Sequence, residues 1–255
     1  MLERRVIEPD AAAIAAFYAG RAGQLARRVI LARVHGFWPR LEGYRLLGFG
    51  YTAPYLAQFG AERAIAAGTA TMGAPYWPSG PSLQCEEEAL PFADALFDRV
   101  LIVHGLERAE SLRPLLRQLW RVMAPESRLL VVAPNRASLW AQLDSTPFGQ
   151  GRPFSRGELD RLLREALFEP QGWAGALYAP PLGTRFLTRD GRGWERAGAL
   201  LFPALCGVHV VEAVKSVYGM TTLPVTDAAP VAAPRLSPGA SGPALSRRSR
   251  RGEGG

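Results

Sequence analysis

The chain has 255 residues, 48% of them hydrophobic, which is enough to bury one sizeable core. Thirty basic and 23 acidic residues give a formal charge of +7, and Lys215 is the only lysine among them. This pattern indicates an arginine bias in composition rather than a dedicated basic motif, and we therefore do not expect a nucleic-acid partner.

The two cysteines, Cys85 and Cys206, are too few for a disulfide scaffold and lack the paired spacing of metal ligands. We therefore expect no metal site and a reducing, cytoplasmic compartment. The longest apolar stretch near the C-terminus, 197–211, contains Pro203 and is shorter than the ~20 residues that a membrane-spanning helix needs. No transmembrane segment is expected.

Apolar residues recur at helical spacing over residues 10–34, with Asp10 in position to cap the helix. This predicts an N-terminal helical cap over residues 1–40. A short apolar run at 44–47 then leads into Gly48-Phe49-Gly50, and the segment 54–67 has a helical pattern. The order predicted is strand, glycine turn, helix.

Residues 98–104 predict a strand buried on both faces, because their apolar residues do not alternate with polar ones. A second such strand is predicted at 128–133. Between them lies a helical stripe with Ser111 as its candidate cap, formed by Leu112, Leu115, Leu116, Leu119, Val122 and Met123. Strand, helix and strand together predict a right-handed parallel crossover.

Ser155 and Glu158 have the spacing of a capping box and predict another helix, and residues 208–214 predict a final strand. After Leu223 the composition changes to Ala, Pro, Ser, Gly and Arg, which predicts disorder. The domains expected are thus the N-terminal cap 1–40, an α/β domain 41–222 and a disordered tail 223–255.

Alternating strands and helices predict a doubly wound sheet, whose ligand lies beyond the carboxyl ends of the strands. The first turn, Gly48 to Thr52, falls at that edge. Its missing Cβ atoms would let a ligand approach the backbone, and its amides could hold a carboxylate. The two glycines could equally serve only to permit a tight turn.

A longer pattern extends from Glu88 through Leu90-Pro91-Phe92-Ala93-Asp94-Ala95-Leu96-Phe97-Asp98 to Glu107, and continues in Arg121-Val122-Met123-Ala124-Pro125 and the strand after it. It resembles the type 11 branch of the class I S-adenosylmethionine-dependent methyltransferases. The resemblance implies a Rossmann-like, mostly parallel seven-stranded sheet, to which the predicted N-terminal helical cap is an extension. It also implies methyl transfer from S-adenosyl-L-methionine by in-line displacement, most simply to a small-molecule acceptor that the sequence does not identify.

The resemblance also suggests site residues. The turn Gly48, Phe49, Gly50, Tyr51 and Thr52 would hold the cofactor, and Glu86, with Glu87 as second choice, would accept a hydrogen bond from adenine. The other interpretation of these two residues is a solvated charge run.

His104 and Gly105, at the end of the fourth strand, would also bind the cofactor, near its reacting methyl group. His104 is the candidate general base, or else a structural histidine.

Two positions depart from the family pattern. Leu46 stands where an acid usually precedes the turn, and Thr52 stands where a third glycine is usual; the stretch 69–74 offers no acid for the ribose either. These departures motivate a second hypothesis, a non-catalytic binding or scaffolding module that contacts a protein partner through the N-terminal helix or the tail. A nicotinamide dehydrogenase ranks third, because Ala53 replaces the last glycine of its turn.

Overall fold

The computed structural model describes residues 11–59, 63–69, 72, 77, 80–181 and 191–216. These residues belong to one compact unit, Met1–Gly219. The predicted N-cap Asp10 and the predicted tail 223–255 lie outside the described residues.

Seven strands form one sheet in the order β3-β2-β1-β4-β5-β7-β6. All neighbours pair in parallel except β7, which runs antiparallel to both β5 and β6. This confirms the predicted mostly parallel, doubly wound sheet. The strands are β1 (Leu46–Gly50), β2 (Ala64–Gly68), β3 (Ser82–Gln84), β4 (Phe97–Val103), β5 (Met123–Pro134), β6 (Phe168–Ala176) and β7 (Val208–Lys215).

Helices cover both faces of the sheet. Buried side chains of the first three helices pack in one hydrophobic cluster, and those of the fourth and fifth pack in a second cluster on the opposite face. The chain therefore has three layers, as a doubly wound fold requires. The helices are α1 (Ala11–Ala19), α2 (Arg21–Phe37), α3 (Ala53–Leu56), α4 (Leu112–Val122), α5 (Arg156–Glu165) and α6 (Gly191–Leu201).

The predicted N-terminal helix over 10–34 is divided into α1 and α2 at Gly20, whose backbone is extended (φ −74°, ψ 164°). Three residues further on, a Cβ on Gly23 would lie 2.5 Å from the Cα of Tyr18. The lack of a side chain at Gly23 thus allows α2 to pack tightly against the end of α1. Periodicity alone did not reveal this break, because the apolar stripe continues through it.

The helix predicted over 54–67 is wrong for all its described residues beyond Leu56. The helix there, α3, ends at Leu56, and Ala64–Gly68 forms strand β2 between β1 and β3. Alanine favours helices intrinsically, but pairing of β2 on both edges satisfies its backbone and overrides that preference.

The helix caps agree with the sequence in one case and differ in the other. The Ser155 hydroxyl and the Glu158 carboxylate form the predicted capping box of α5. Ser111 holds the N-cap position of α4, but its side chain makes no capping bond. Instead, the Glu87 carboxylate accepts hydrogen bonds from the backbone N–H groups of Glu110 (3.0 Å) and Ser111 (2.7 Å).

Candidate functional site

Gly48, Phe49 and Gly50 were predicted as a turn, but they are the last three residues of strand β1. The turn itself starts at Tyr51, where the strand order reverses between β1 and β4. Gly50 ends β1 with φ +84°, and a Cβ there would lie 2.5 Å from the carbonyl oxygen of Val103 on β4. Only glycine fits this close approach of the two strands. The turn is therefore at the switch point, where doubly wound sheets bind ligands.

Much of this turn is occupied by contacts within the protein. The Tyr51 N–H donates to Val103 O (2.7 Å), and the Thr52 N–H donates to Gly50 O (2.9 Å). These two amides, which the sequence suggested for a carboxylate, already have partners. Helix α3 behind them has only four residues.

A Cβ on Gly48 would collide with the Thr52 hydroxyl and with Leu56. Thr52 thus fills the room beside Gly48 that a third glycine would leave open. Its Oγ1 is buried and has no hydrogen-bond partner among the described residues. Such an orphaned donor is costly in the free protein and is satisfied when a ligand accepts from it.

Phe49 and Gly105 contribute backbone shape rather than functional groups. The Phe49 side chain is fully buried in the core below the sheet. A Cβ on Gly105 would lie 2.7 Å from Ile102 Cγ2. Neither residue therefore presents a polar side chain to a ligand.

The two candidate acids occupy different environments. Glu86 follows β3 and is exposed, so its carboxylate is available to a ligand. Glu87 is buried, and both its carboxylate oxygens are used in capping α4. The structure therefore favours Glu86 over Glu87 as a ligand-binding acid.

His104 follows β4 and lies in a chain of buried hydrogen bonds. Its Nδ1 is 2.8 Å from Glu107 Oε1, and its Nε2 is 2.8 Å from the Tyr18 hydroxyl of α1. Because a carboxylate only accepts hydrogen bonds, Nδ1 carries a proton. In the neutral imidazole, Nε2 then accepts from the Tyr18 hydroxyl. We call these three residues the Tyr-His-Glu chain.

The backbone of His104 is held in the left-handed region, with φ +53°. For a residue with a side chain, this conformation costs on the order of 1–3 kcal/mol and persists only where its surroundings impose it. Glu107 lies in a 3-10 helix of one turn, Leu106–Arg108, which brings its carboxylate back to the His104 ring. Local backbone geometry thus sets the orientation of the imidazole.

Aromatic rings enclose the Tyr-His-Glu chain. Tyr51 stacks on Tyr18 with ring centroids 4.9 Å apart, and Phe148 lies 4.9 Å from the His104 ring. The Tyr55 hydroxyl donates to the Tyr18 hydroxyl at 3.4 Å. Burial raises the pKa of Tyr18 well above its ordinary value and also raises the pKa of Tyr55, so both phenols stay protonated as donors.

Sequence reasoning missed Tyr18 and Glu107. Glu107 carried a weak signal, since it follows His104 by three residues and a single turn can join them. Tyr18 carried none, because it lies 86 residues from His104 and only the packing of α1 brings it there.

The end of β2 supplies no acidic group. Thr69, which follows the strand, is buried. Of the rest of the stretch 69–74, the structure describes only Met72, which is also buried. No His, Cys, Asp or Glu side chains of the described ranges form a group of three or more that could hold a metal ion. None of the described helices is long and apolar enough to cross a membrane.

Residues 47–131 match the family model for a methyltransferase domain. Over this third of the chain, the sequence is similar to the methyltransferase domain family. The matched segment extends from β1 into β5 and includes the glycine turn, Glu86 and His104.

Solved methyltransferase structures share this fold. A SAM-dependent methyltransferase from Thermotoga maritima is 16% identical and superimposes with a TM-score of 0.55 over 79% of this chain and 94% of its own. A methyltransferase from Haloferax volcanii, solved with the Trm112 methyltransferase activator, is 17% identical. It superimposes with a TM-score of 0.55 over 79% of this chain and 96% of its own.

Geranyl diphosphate methyltransferase, solved with GPP and sinefungin, is 14% identical with a TM-score of 0.52, over 81% of this chain and 86% of its own. At these identities the likeness concerns the fold. No curated protein matches the chain.

The site residues of the methyltransferase domain can be tested for their fit to S-adenosylmethionine, the methyl donor that the family implies. The exposed Glu86 carboxylate can accept a hydrogen bond from the adenine amine. The unpaired Thr52 hydroxyl can donate one to the amino-acid end of S-adenosylmethionine. The residues present therefore fit the cofactor, although Thr52 and Leu56 narrow the turn beside Gly48.

Proposed function

We propose that the protein transfers a methyl group from S-adenosyl-L-methionine to a small-molecule acceptor that binds beside His104. The observation that carries this proposal is the Tyr-His-Glu chain, which lies at the switch point of a methyltransferase domain. A buried histidine oriented by a carboxylate at that edge is suited to accept a proton from an acceptor.

In this proposal Glu86 and Thr52 hold the two ends of the cofactor, while the backbone of Gly48, Gly50 and Gly105 shapes the surface between them. Bound S-adenosylmethionine supplies an electrophilic methyl carbon on its sulfonium. The protein contributes mainly by positioning the acceptor in line with that carbon, and positioning alone can supply about 7–11 kcal/mol of the barrier.

His104 receives the acceptor's proton at Nε2. Glu107 acts as a positioning residue, because its carboxylate keeps the proton on Nδ1 and leaves Nε2 as the basic nitrogen. The Tyr18 hydroxyl occupies Nε2 in this structure. An acceptor hydroxyl or amine must therefore take the place of Tyr18, which makes α1 the cover of the acceptor site.

The proposal includes a cytoplasmic location, supported by two unpaired cysteines, Cys85 and Cys206. Burial raises the pKa of Cys85 to about 11 and also raises that of Cys206, so neither thiol is an activated nucleophile.

The alternative function is that of a methyltransferase fold that does not bind the cofactor. Such a protein would instead bind a protein partner through its N-terminal helix or its tail.

Calorimetric titration of the full chain with S-adenosylmethionine tests the proposal. We expect binding, and we expect Glu86→Ala to weaken it at least tenfold because the adenine amine loses its acceptor. Its neighbour Glu88 is also exposed, and Glu88→Ala is the matched control that should bind like the wild type. His104→Ala should also keep its cofactor affinity, since His104 acts on the acceptor.

Two outcomes would contradict the proposal. If millimolar S-adenosylmethionine gives no detectable binding, the protein is not an enzyme of this class and the scaffolding role gains support. If Glu86→Ala and Glu88→Ala bind equally well, Glu86 does not hold the adenine. Mass spectrometry of protein purified without added cofactor provides an independent check, because a working site should retain the cofactor or its demethylated product.

A further inference from the structure

A groove lined by arginines lies between α4 and α5, on the face of the sheet opposite α1. Its cavity has a volume of about 600 Å³, which is within the range of small-molecule sites. Four arginines line it, namely Arg113, Arg136, Arg152 and Arg161. We call it the arginine groove, and the proposed methyl transfer does not use it.

The charges in the arginine groove do not balance. Glu165 pairs with Arg113 at 3.1 Å, and Glu158 pairs with Arg136 at 2.9 Å. Glu158 is further committed to the capping box of α5. No other acidic side chain of the described residues lines the groove, so its two carboxylates neutralise two of the four guanidinium groups.

Arg152 and Arg161 are the two arginines of the groove that these carboxylates leave unpaired. No carboxylate oxygen of the described residues lies within 4.0 Å of either guanidinium group. A guanidinium stays charged at every physiological pH, so the groove keeps these two uncompensated positive charges throughout that range. An anion in the groove would balance them and accept charge-assisted hydrogen bonds.

The wall that carries these arginines is fixed by backbone contacts. The Arg152 N–H donates to Glu107 O (2.7 Å), and the Phe154 N–H donates to Pro134 O (2.9 Å). Arg136 is held from a second side by Pro153 O at 3.1 Å from its Nη2. The Cα positions of the cationic groups are therefore set before any ligand arrives, which lowers the entropic cost of binding.

The groove also has an apolar floor. Leu112 and Leu162 are half-buried, and Phe154 is almost fully buried beneath them. An inorganic anion would leave this surface in contact with water. A ligand with an apolar part next to its charge would cover it and gain about 25 cal/mol for each Å² removed from water.

From this combination we infer that the arginine groove binds an organic phosphate, with the phosphate between Arg152 and Arg161 and an apolar group on Leu112 and Leu162. Phosphate is favoured because the planar donor fork of arginine matches its oxygens, and because two guanidinium groups match its double negative charge.

The test is an NMR titration of the full chain, labelled with ¹⁵N-arginine, with phenyl phosphate and with inorganic phosphate in parallel. The Nε–Hε signals of Arg152 and Arg161 should shift together, and phenyl phosphate should bind at least threefold more tightly than inorganic phosphate. The double variant Arg152→Gln/Arg161→Gln should bind phenyl phosphate at least tenfold more weakly.

The matched control is Arg28→Gln/Arg40→Gln, which removes the same charge from two exposed arginines of the N-terminal region. It should leave the affinity within twofold of the wild type. All four substituted residues are exposed, so both variants should fold, and equal melting temperatures would confirm this. Three outcomes would each overturn the inference. They are equal weakening of binding in both double variants, equal affinity for phenyl phosphate and inorganic phosphate, and no shift of the Arg152 and Arg161 signals at 20 mM phenyl phosphate, roughly the weakest affinity of interest.

Discussion

Gly50 shows how a single residue defines the site. Its φ of +84° and the 2.5 Å that would separate a Cβ from Val103 O leave no room for a side chain. We expect Gly50→Ala to lower the free energy of unfolding by at least about 2 kcal/mol, from backbone strain plus steric overlap. Urea denaturation at neutral pH measures this change.

Gly36 provides the matched control for that substitution. It lies in α2, and nothing is found within 4 Å of where its Cβ would be. Gly36→Ala should leave the free energy of unfolding unchanged or raise it by up to about 1 kcal/mol, because alanine is the better helix former. A Gly50→Ala protein as stable as Gly36→Ala would show that the close approach of β1 to β4 is not a constraint.

The residues of the site were only partly predictable from the sequence. The family resemblance suggested both Glu86 and Glu87 as acids that bind adenine. Only the fold shows that Glu87 caps α4 while Glu86 stays exposed. His104 was identified by its position after a strand. Its partner Tyr18 could not be, since no local pattern encodes a contact across 86 residues.

At the scale of elements, helix α1 covers the candidate acceptor site. Tyr18 contributes the hydroxyl on His104 Nε2 and a ring stacked on Tyr51. His104 is 1% exposed as a result. A reagent that acylates imidazole, such as diethyl pyrocarbonate, should therefore modify half-buried His35 first and His104 very slowly.

Removing the Tyr18 side chain should open this cover. In Tyr18→Ala we expect His104 to be modified at least tenfold faster, while His209, on β7, keeps its wild-type rate. Tyr18→Phe retains the ring and should stay protected, which separates the steric cover from the hydrogen bond. Peptide mass spectrometry resolves the three histidines. Unchanged protection of His104 in Tyr18→Ala would mean that α1 is not what encloses it.

Elements were predictable where sequence pattern and environment agree. Helix α4 follows its apolar stripe because Leu115, Leu116 and Leu119 pack on the sheet. Strand β2 was mistaken for helix because Ala64–Gly68 is made mainly of small residues without β-branching, and its pairing with β1 and β3 decides its structure. Strand β6 escaped detection since Pro170 and Gly172 interrupt its pattern at an irregularity in its pairing.

At the scale of the whole molecule, β7 joins the two halves of the core. Its alternate side chains enter the clusters on both faces, with Val208 and Val210 on one and Val211 and Ala213 on the other. It pairs with β5 and β6 along its length, so local opening of β7 would disrupt both hydrophobic clusters. The stability of β7 is therefore expected to limit that of the whole fold.

His209 lies within this strand and makes the fold sensitive to acid. Burial, aided by the nearby charge of Arg156, lowers the pKa of His209 to about 4, compared with about 6.5 in the unfolded chain. Well above pH 6.5 both states hold a neutral imidazole, and the residue adds almost no pH dependence. Below it the unfolded chain binds the proton first, so the free energy of unfolding falls as the pH falls toward 4.

Between pH 7 and pH 5 this difference in proton binding should remove about 2 kcal/mol of the free energy of unfolding. In His209→Gln the loss over the same interval should be smaller by that amount, because glutamine does not titrate. Urea denaturation of both proteins at pH 5, 6, 7 and 8 measures it, and their curves should run parallel between pH 7 and pH 8. An equally steep decline of both proteins below pH 6.5 would show that the acid sensitivity arises from other groups.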